Sequence, residues 1–441
     1  MLKQTIVLLF LTGVFGMSAS VSADMLSLDD YLALVKRHSR ELKMAARDVE
    51  TAQAQKREAI SGALPHINAA AGYTRNLSET YMYVDLGEGT QQLRVNHDND
   101  YQAQVALTQT LFSLNVKNAI TAADQFQKLT DFVYGASYQE IITASKKLFY
   151  QTILARTVWR VTDSSEQNAH ENYLNVKAGF DNGLVSEFAL LQAEVNWRDM
   201  IPQTIRAQRD LELALVNLKS LAGMNLDRDI EPEGDLATIP GQPVTRPFDS
   251  VLGARPDYNA LLWEEKLRST NVAAERAAYY PSLQGRLAYG YSASSNEWSL
   301  DNENNSWTAG VSLSIPIFNG GATRAKVAQA LIDRDKTRLQ IDQTRDDIQK
   351  EMTSIRLRLA ESSRRIESVR ATVATAAKAY SIAQSSAVSG LATQLELKNA
   401  RLASDQAQLA YHAAVYDYLA AWFDWEKATG QLTASTVEGE D

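Results

Sequence analysis

Residues 322–389 read ATRAKVAQALIDRDKTRLQIDQTRDDIQKEMTSIRLRLAESSRRIESVRATVATAAKAYSIAQSSAVS, a run without proline. Met352, Leu359, Ile366, Val373, Tyr380 and Ala387 fall seven apart, and Ile341, Ile348, Ile355, Val369, Ala376 and Ala383 fill the complementary position, interrupted by Ser362. Arg345, Asp346, Lys350, Glu351, Arg356, Arg358, Glu361 and Arg364 occupy the other faces. This is the a/d seam of a coiled coil, sustained for about seven heptads. At 1.5 Å per residue such a helix is ~100 Å long. Ser389-Gly390 is a stop signal, and a return helix is expected from Leu391, with Leu395, Leu402, Leu409, Tyr416 and Phe423 again seven apart. The segment is a long helical hairpin with its tip at Gly390.

The chain has 441 residues, 45% hydrophobic and 22% charged, with a formal net charge of −9. Lys3, the apolar run Ile6–Phe15 and the small-x-small triplet Val21-Ser22-Ala23 form a signal peptide over residues 1–23, so maturation is expected before Asp24. No later stretch approaches the apolar length of a transmembrane helix. A mildly acidic exported chain without a basic cluster is not a nucleic-acid binder. With no cysteine, the chain has no disulfide, no thiolate metal site and no lipid-modified cysteine.

Outward from the hairpin, the period changes. Residues 24–61 read as helix, ended by Ala63-Leu64-Pro65, after which Ile67, Ala69, Ala71 and Tyr73 alternate with His66, Asn68, Ala70, Gly72 and Thr74. A polar loop holding Asp85, Glu88 and Asp98 leads to a second alternating run, Tyr101 to Leu111. A long helix follows from Val116 to Gly179, with a return arm over Leu184–Leu221 that is expected to bend at Pro202. Asp227–Asp249 is rich in Pro, Gly and Asp and reads as irregular.

The order then repeats. Pro65 and Pro281 lie 216 residues apart, Phe112 and Phe318 lie 206 apart, and Gly183/Gly390 and Gly223/Gly430 lie 207 apart. Each half reads helix, strand, strand, long helix, return helix, which is a duplicated domain rather than a solenoid unit. The expected organisation is a first repeat over 24–223 with strands at about 66–76 and 101–112, an irregular segment over 224–254, a second repeat over 255–430 with strands at about 282–292 and 306–317, and a tail over 431–441.

The strands have the length of tilted membrane-crossing strands. Aromatics cluster at their ends (Tyr73, Tyr81, Tyr83, Tyr101, Phe112, Tyr291, Trp298, Trp307, Phe318), as in an interfacial girdle. Their polar faces of Gln, Thr and Ser suit a wet lumen. Four strands cannot close a barrel, and open edges are not tolerated in lipid, so several chains must share one barrel.

Arg255-Pro256-Asp257, Tyr280-Pro281-Ser282-Leu283, Pro316-Ile317-Phe318-Asn319-Gly320-Gly321 and the tips Asn182-Gly183-Leu184-Val185 and Ser389-Gly390-Leu391-Ala392, together with the duplication, resemble the TolC-type outer-membrane efflux protein family over nearly all of the mature chain. The resemblance implies a membrane α+β fold: a homotrimer whose twelve-stranded barrel lies in outer-membrane lipid above a twelve-helix periplasmic α-barrel, with an equatorial belt near Asp227–Asp249 and the tail. It implies a passive exit duct for efflux or type I secretion, docked to a periplasmic adaptor and an inner-membrane transporter driven by protons or ATP. On the same basis, Gly183, Leu184, Val185, Gly390, Leu391 and Ala392 are the adaptor-docking tips. The periplasmic gate would carry Glu396, with Asn399 where relatives often have aspartate and Glu187 in the first half. Three copies of Glu396 would favour cations, and their crowding would raise its pKa.

The five histidines show no metal-ligand spacing, and G-x-S-x-G, G-x-G-x-x-G and P-loop patterns are absent, so neither catalytic residues nor a cofactor are expected. The competing reading is a non-conducting envelope scaffold or adhesin, which would need no polar lumen.

Overall fold

In the computed structural model, which describes residues 24–85, 87 and 89–432, the heptad line is the buried line of its helix. The helix α8 (Ala322–Val388) buries Ile348, Ile355, Leu359, Ser362 and Ile366. It half-buries Met352, Val369, Val373, Ala376, Tyr380, Ala383 and Ala387, while residues between them face solvent. The signal peptide, Glu88 and nearly all of the tail lie outside the described residues.

The elements run β1 (Asp24–Leu26), α1 (Leu28–His38), α2 (Arg40–Ser61), β2 (His66–Arg75), β3 (Tyr81–Asp85), β4 (Thr90–Arg94), β5 (Asn99–Phe112), α3 (Leu114–Asp181), α4 (Glu187–Arg198), α5 (Ile201–Leu221), β6 (Ile230–Pro232), α6 (Phe248–Ala254), α7 (Pro256–Ala277), β7 (Ser282–Ser295), β8 (Asn304–Ser314), α8 and α9 (Gln394–Ala428). They form two compact units.

One unit comprises residues up to Arg40, 144–241 and 360–420 and contains both hairpin tips. Its core is built on Tyr31, Val35, Phe149, Ile153, Leu218 and Leu236. The Tyr31 hydroxyl donates to the Leu218 carbonyl (3.3 Å), and its ring packs 5.6 Å from that of Phe149. Arg156 donates to the Glu231 carboxylate (2.9 Å) and to the carbonyls of Pro232 and Gly234 (2.6 and 2.7 Å), tying β6 to α3.

The other unit comprises 41–143, 242–359 and 421 onward. It contains the four-stranded antiparallel sheet β2-β5-β7-β8. Arg255, which is buried, clamps three of its segments: it donates to the Asp257 carboxylate (2.7 Å), to Glu351 on α8 (2.7 Å) and to the Ala428 carbonyl ending α9 (3.2 Å).

Several expectations change. The first segment does not start as helix: Asp24–Leu26 is a strand pairing in parallel with β6, because Ser27 caps α1 by accepting from the Asp30 amide. The segment 227–249 is therefore not wholly irregular. The loop after Arg75 carries the β3/β4 ribbon, in which Met82 faces Leu93. Strand β8 ends at Ser314 rather than 317, before Pro316, whose missing amide cannot serve a ladder.

Pro202 breaks the first return arm into α4 and α5 rather than bending it, and sits in the first turn of α5. Its counterpart 207 residues on is Leu409, and α9 is continuous there. On α9 near the tip the buried residues are Ser404 and Ala407, whereas Leu395 and Leu402 are exposed; farther along, Ala414, Val415 and Phe423 are buried and Leu409 and Tyr416 half-buried. Close helix approach selects small side chains, so the leucine spacing marks the outer face of the arm near the tip.

Candidate functional site

The strand register decides what the sheet can do. Across it, Ile67 lies opposite Leu107 and Ala69 opposite Val105; Leu107 lies opposite Leu287 and Val105 opposite Tyr289; Leu287 lies opposite Ala309 and Tyr289 opposite Trp307. Side chains alternate between faces, so this register collects the apolar residues on one face. The other carries Asn68, Gln104, Thr108, Arg286, Gln284, Thr308 and Ser312. Neither edge face is covered: every residue of β2 and β8 is exposed. Val311 and Trp307 are 67% and 70% exposed, an apolar display that belongs in lipid rather than water. Aromatics gather at the far end of the strands, where Tyr73 packs against Tyr101 (5.2 Å) and Trp298 (5.5 Å). No described helix is long and apolar enough to cross a membrane.

The two hairpin tips share one geometry. Gly183 and Gly390 adopt φ +72° and +74°. The Gly183 amide donates to Phe180 and the Leu184 amide to Gly179, just as Gly390 donates to Ala387 and Leu391 to Ser386. Paired bonds of this kind close a helix end and need a left-handed residue, which glycine supplies. Leu184 and Leu391 are left 81% and 85% exposed. Val185 and Ala392 are half-buried, the former against Gly179, where an added Cβ would meet the valine at 2.7 Å.

Glu396 lies in the first turn of α9. Its carboxylate accepts from the Thr393 amide (2.7 Å) and hydroxyl (3.0 Å), and its own amide donates to the Thr393 hydroxyl (3.2 Å). This is a capping box, legible as Thr-x-x-Glu. Within one chain these bonds hold the carboxyl below the usual glutamate range, opposite to the rise expected from crowding. In the first half Ser186 makes the same cap by accepting from the Ala189 amide, but Ala189 has no acid to return it. Glu187 and Asn399 are exposed. Lys398, beside Asn399, reaches Asp199 at 3.7 Å.

One polar contact near the tips was not anticipated. Ser165 of α3 donates to the Asp405 carboxylate of α9. Burial pushes the Asp405 carboxyl up, and the Ser165 hydroxyl and Arg401 offset part of that. The available signal was an acid three residues beyond Leu402, inside a helix otherwise turned inward by small residues. Farther toward the tip, Asn172 donates to Gln394 at 2.7 Å. Among the described residues no group of three or more acidic or histidine side chains could hold a metal.

An amphipathic sheet with two open edges and long helical hairpins closed by glycine tips are the two features that a subunit of an envelope channel needs. The sequence model of the outer membrane efflux protein family matches residues 32–224 and 248–431, and the chain belongs to that family. It is 24% identical, over 97% of its own length and 89% of the relative's, to the alkaline protease secretion protein AprF of Pseudomonas aeruginosa. Its fold is similar to the CmeC outer membrane channel of Campylobacter jejuni (TM-score 0.78, 20% identity, 91% of this chain and 85% of that one). It is also similar to the outer membrane protein VceC of Vibrio cholerae (TM-score 0.72, 19% identity, 91% and 96%). The chain is an outer-membrane exit channel of the TolC type, with long helical hairpins on the periplasmic side.

Proposed function

We propose that three copies close one twelve-stranded barrel and that the assembly conducts cargo passively, drawing its energy from an inner-membrane transporter reached through a periplasmic adaptor. The observation that carries this reading is the sheet: one face mainly apolar, the other bearing Gln, Thr, Ser and Arg among small residues, and both edges unpaired in the chain. Backbone edges are not tolerated in hydrocarbon, so the sheet must be completed by further strands. A scaffold or adhesin would not require a continuous polar face opposite the apolar one.

The two halves are tandem duplicates in this reading, supported by the matching helix stops at Gly183/Gly390 and Gly223/Gly430. The exposed Leu184 and Leu391, with the glycines that turn them outward and Val185 and Ala392 behind them, form the adaptor-docking surface. Glu396, repeated around the axis with Asn399 and Glu187 nearby, lines the periplasmic constriction. The near full-length similarity to a protease secretion protein favours polypeptide export as one cargo class.

Two measurements test this. Purified protein in planar lipid bilayers should give discrete ion currents, whereas bilayers that stay sealed at saturating protein, with Glu396 replaced as well as without, would exclude a duct. A photo-crosslinker at Leu391 in intact envelopes should trap an adaptor. Recovery with a proton-driven pump means small-molecule efflux, and recovery with an ATP-binding-cassette transporter means secretion or ATP-driven efflux.

A further inference from the structure

Arg286 of β7 stands between Thr108 of β5 and Gly310 of β8, on the face opposite to that of Leu287 and Tyr289. It is exposed, and it makes no ion pair among the described residues; its guanidinium reaches the Gln104 side-chain oxygen at 3.5 Å. At Gly310 an added Cβ would meet no atom within 4 Å, so the neighbouring strand leaves the guanidinium uncovered. The rest of this face is Gln, Thr, Ser, Asn, Gly and Ala, except for His66 on the same rung and Asp100 toward the far end. Asp100 lies opposite Ser294, about 27 Å along β7 from Arg286 at ~3.4 Å per residue. Its carboxylate accepts from Asn76 at 2.7 Å. That distance is several Debye lengths, each ~8 Å at physiological salt, so Asp100 does not neutralise Arg286. His66, protonated or not, adds no negative charge.

The sequence around the sheet has the same bias. Residues 59–78, 101–123, 276–296 and 304–332 span the four strands and the turns that join them to the helices, and they contain neither Asp nor Glu. Acids outnumber bases 53 to 44 in the whole chain. A general avoidance of charge in strands would remove bases as well, yet these stretches hold Arg75, Lys117, Arg276, Arg286, Arg324 and Lys326. The selection is therefore on sign. Arg75 is on the apolar face, which leaves Arg286 as the base of the polar face.

We propose that Arg286, repeated around the axis, makes the barrel lumen a binding site for small multivalent anions and the segment of the duct that favours anions. This rests on the multi-chain barrel proposed above, with its polar face inward, and adds a residue that sets selectivity. Twelve strands ~4.8 Å apart and tilted about 40° enclose a backbone radius of about 12 Å. Guanidinium groups extending inward from that wall come within about a Debye length of the axis, ~8 Å at physiological salt, so their fields overlap there. Rings of Arg or Lys select anions as rings of Asp or Glu select cations. The guanidinium fork also suits phosphate-type oxygens. The sign is opposite to that of Glu396, so cargo would meet an acidic entrance and a basic barrel in turn.

The chain has no cysteine, so T108C alone reports the potential on the rung of Arg286. Outer-membrane vesicles carrying T108C, with and without Arg286→Gln, are labelled by two water-soluble methanethiosulfonates, one bearing a sulfonate and one a trimethylammonium. A unit charge ~6 Å away in water changes the local concentration of either reagent about threefold, in opposite directions. The ratio of sulfonate to ammonium labelling rates should therefore fall about tenfold in Arg286→Gln and stay near wild type in Arg286→Lys. The difference should collapse in 1 M salt, where the Debye length is about 3 Å. An unchanged ratio in Arg286→Gln overturns the anion site and leaves the wet lumen standing. Failure of both reagents at T108C and at S312C overturns the inward polar face itself. In planar bilayers, tripolyphosphate should block wild-type channels at a concentration at least tenfold lower than Arg286→Gln channels, and equal sensitivity of the two overturns the site.

Discussion

The Thr393 amide donates to the Glu396 carboxylate at 2.7 Å, and the Glu396 amide donates back to the Thr393 hydroxyl at 3.2 Å. Glu396 therefore caps a helix whether or not it faces a pore. Glu396→Gln retains an acceptor for the cap and removes the charge, whereas Thr393→Ala removes the cap and retains the charge. If three copies ring the entrance, Glu396→Gln should lower cation preference in bilayer recordings several-fold and Thr393→Ala should not. Unchanged selectivity in Glu396→Gln would reduce the residue to a cap. The carboxyl is depressed in the folded chain, so its contribution is present above the ordinary glutamate value of about 4.3 and is lost as pH falls through the lower folded value.

Asp405 has the opposite sign. Its folded carboxyl is raised by burial, so the stabilising state is the protonated one. That contribution is complete below the ordinary aspartate value and is lost as pH rises through the folded one. Asp405→Asn, which can still accept from Ser165, should flatten this part of the pH dependence and raise the melting temperature relative to wild type more at pH 7 than at pH 4. An equal shift at both would mean that Asp405 is not held against its charge.

Glycines of the same conformation should differ in cost. A Cβ at Gly223 (φ +62°) would lie 2.6 Å from the His38 carbonyl oxygen, and one at Gly430 (φ +65°) would lie 2.6 Å from that of Ala254. At Gly183 and Gly390 no atom lies within 4 Å of an added Cβ. Alanine at either tip should cost about 1–2 kcal/mol of backbone strain, and alanine at Gly223 or Gly430 more. Thermal unfolding of the four variants should separate into these two pairs.

Arg255 should tolerate neither truncation nor lysine. Burial alone would raise the Asp257 carboxyl, but the Arg255 guanidinium holds it below the aspartate range. Lysine cannot reproduce a fork that reaches Asp257, Glu351 and the Ala428 carbonyl together. Asp257 and Glu351 are partly exposed, so the loss in Arg255→Ala should fall below the ~3–5 kcal/mol of a fully buried pair, at about 2 kcal/mol. Denaturant unfolding measures it, and Arg255→Lys should recover less than half.

The two faces of β8 should respond differently to one charge. Val311→Arg puts a guanidinium on the apolar face, at a cost of about 2–4 kcal/mol near the bilayer midplane, and should reduce outer-membrane recovery. Ser312→Arg, on the polar face, should insert normally and alter conductance. Equal insertion of both would reverse the face assignment. Ser312→Leu, inserted normally, should lower conductance by narrowing and drying the polar face.

Much of this protein was legible because its patterns are local. The heptads of α8 named its buried line because 3.5-residue spacing keeps one face inward over the whole helix. Alternation named the strand faces, and glycine named the tips and stops. The return-arm seam held in part: Phe423 is buried and Leu409 and Tyr416 are half-buried, but near the tip Leu395 and Leu402 are exposed and the buried positions are Ser404 and Ala407. The capping box at Thr393 was readable in full and was overlooked in favour of the charge. The ribbon of β3 and β4 lacked strong alternation, and β1 was too short to compete with the helix after it.

By itself, the sequence determined the long helices, the four long strands, the helix stops and the amphipathic faces, since each depends on side chains a few residues apart. Only the tertiary structure decided which partners meet: Asp24 beside Ile230, Ser165 on Asp405, Arg255 on Glu351, and Val105 opposite Tyr289. Those contacts join residues about a hundred or more apart. A period can match many partners equally well, and the choice among them is made by packing, hydrogen-bond satisfaction and register once the chain has closed its loops.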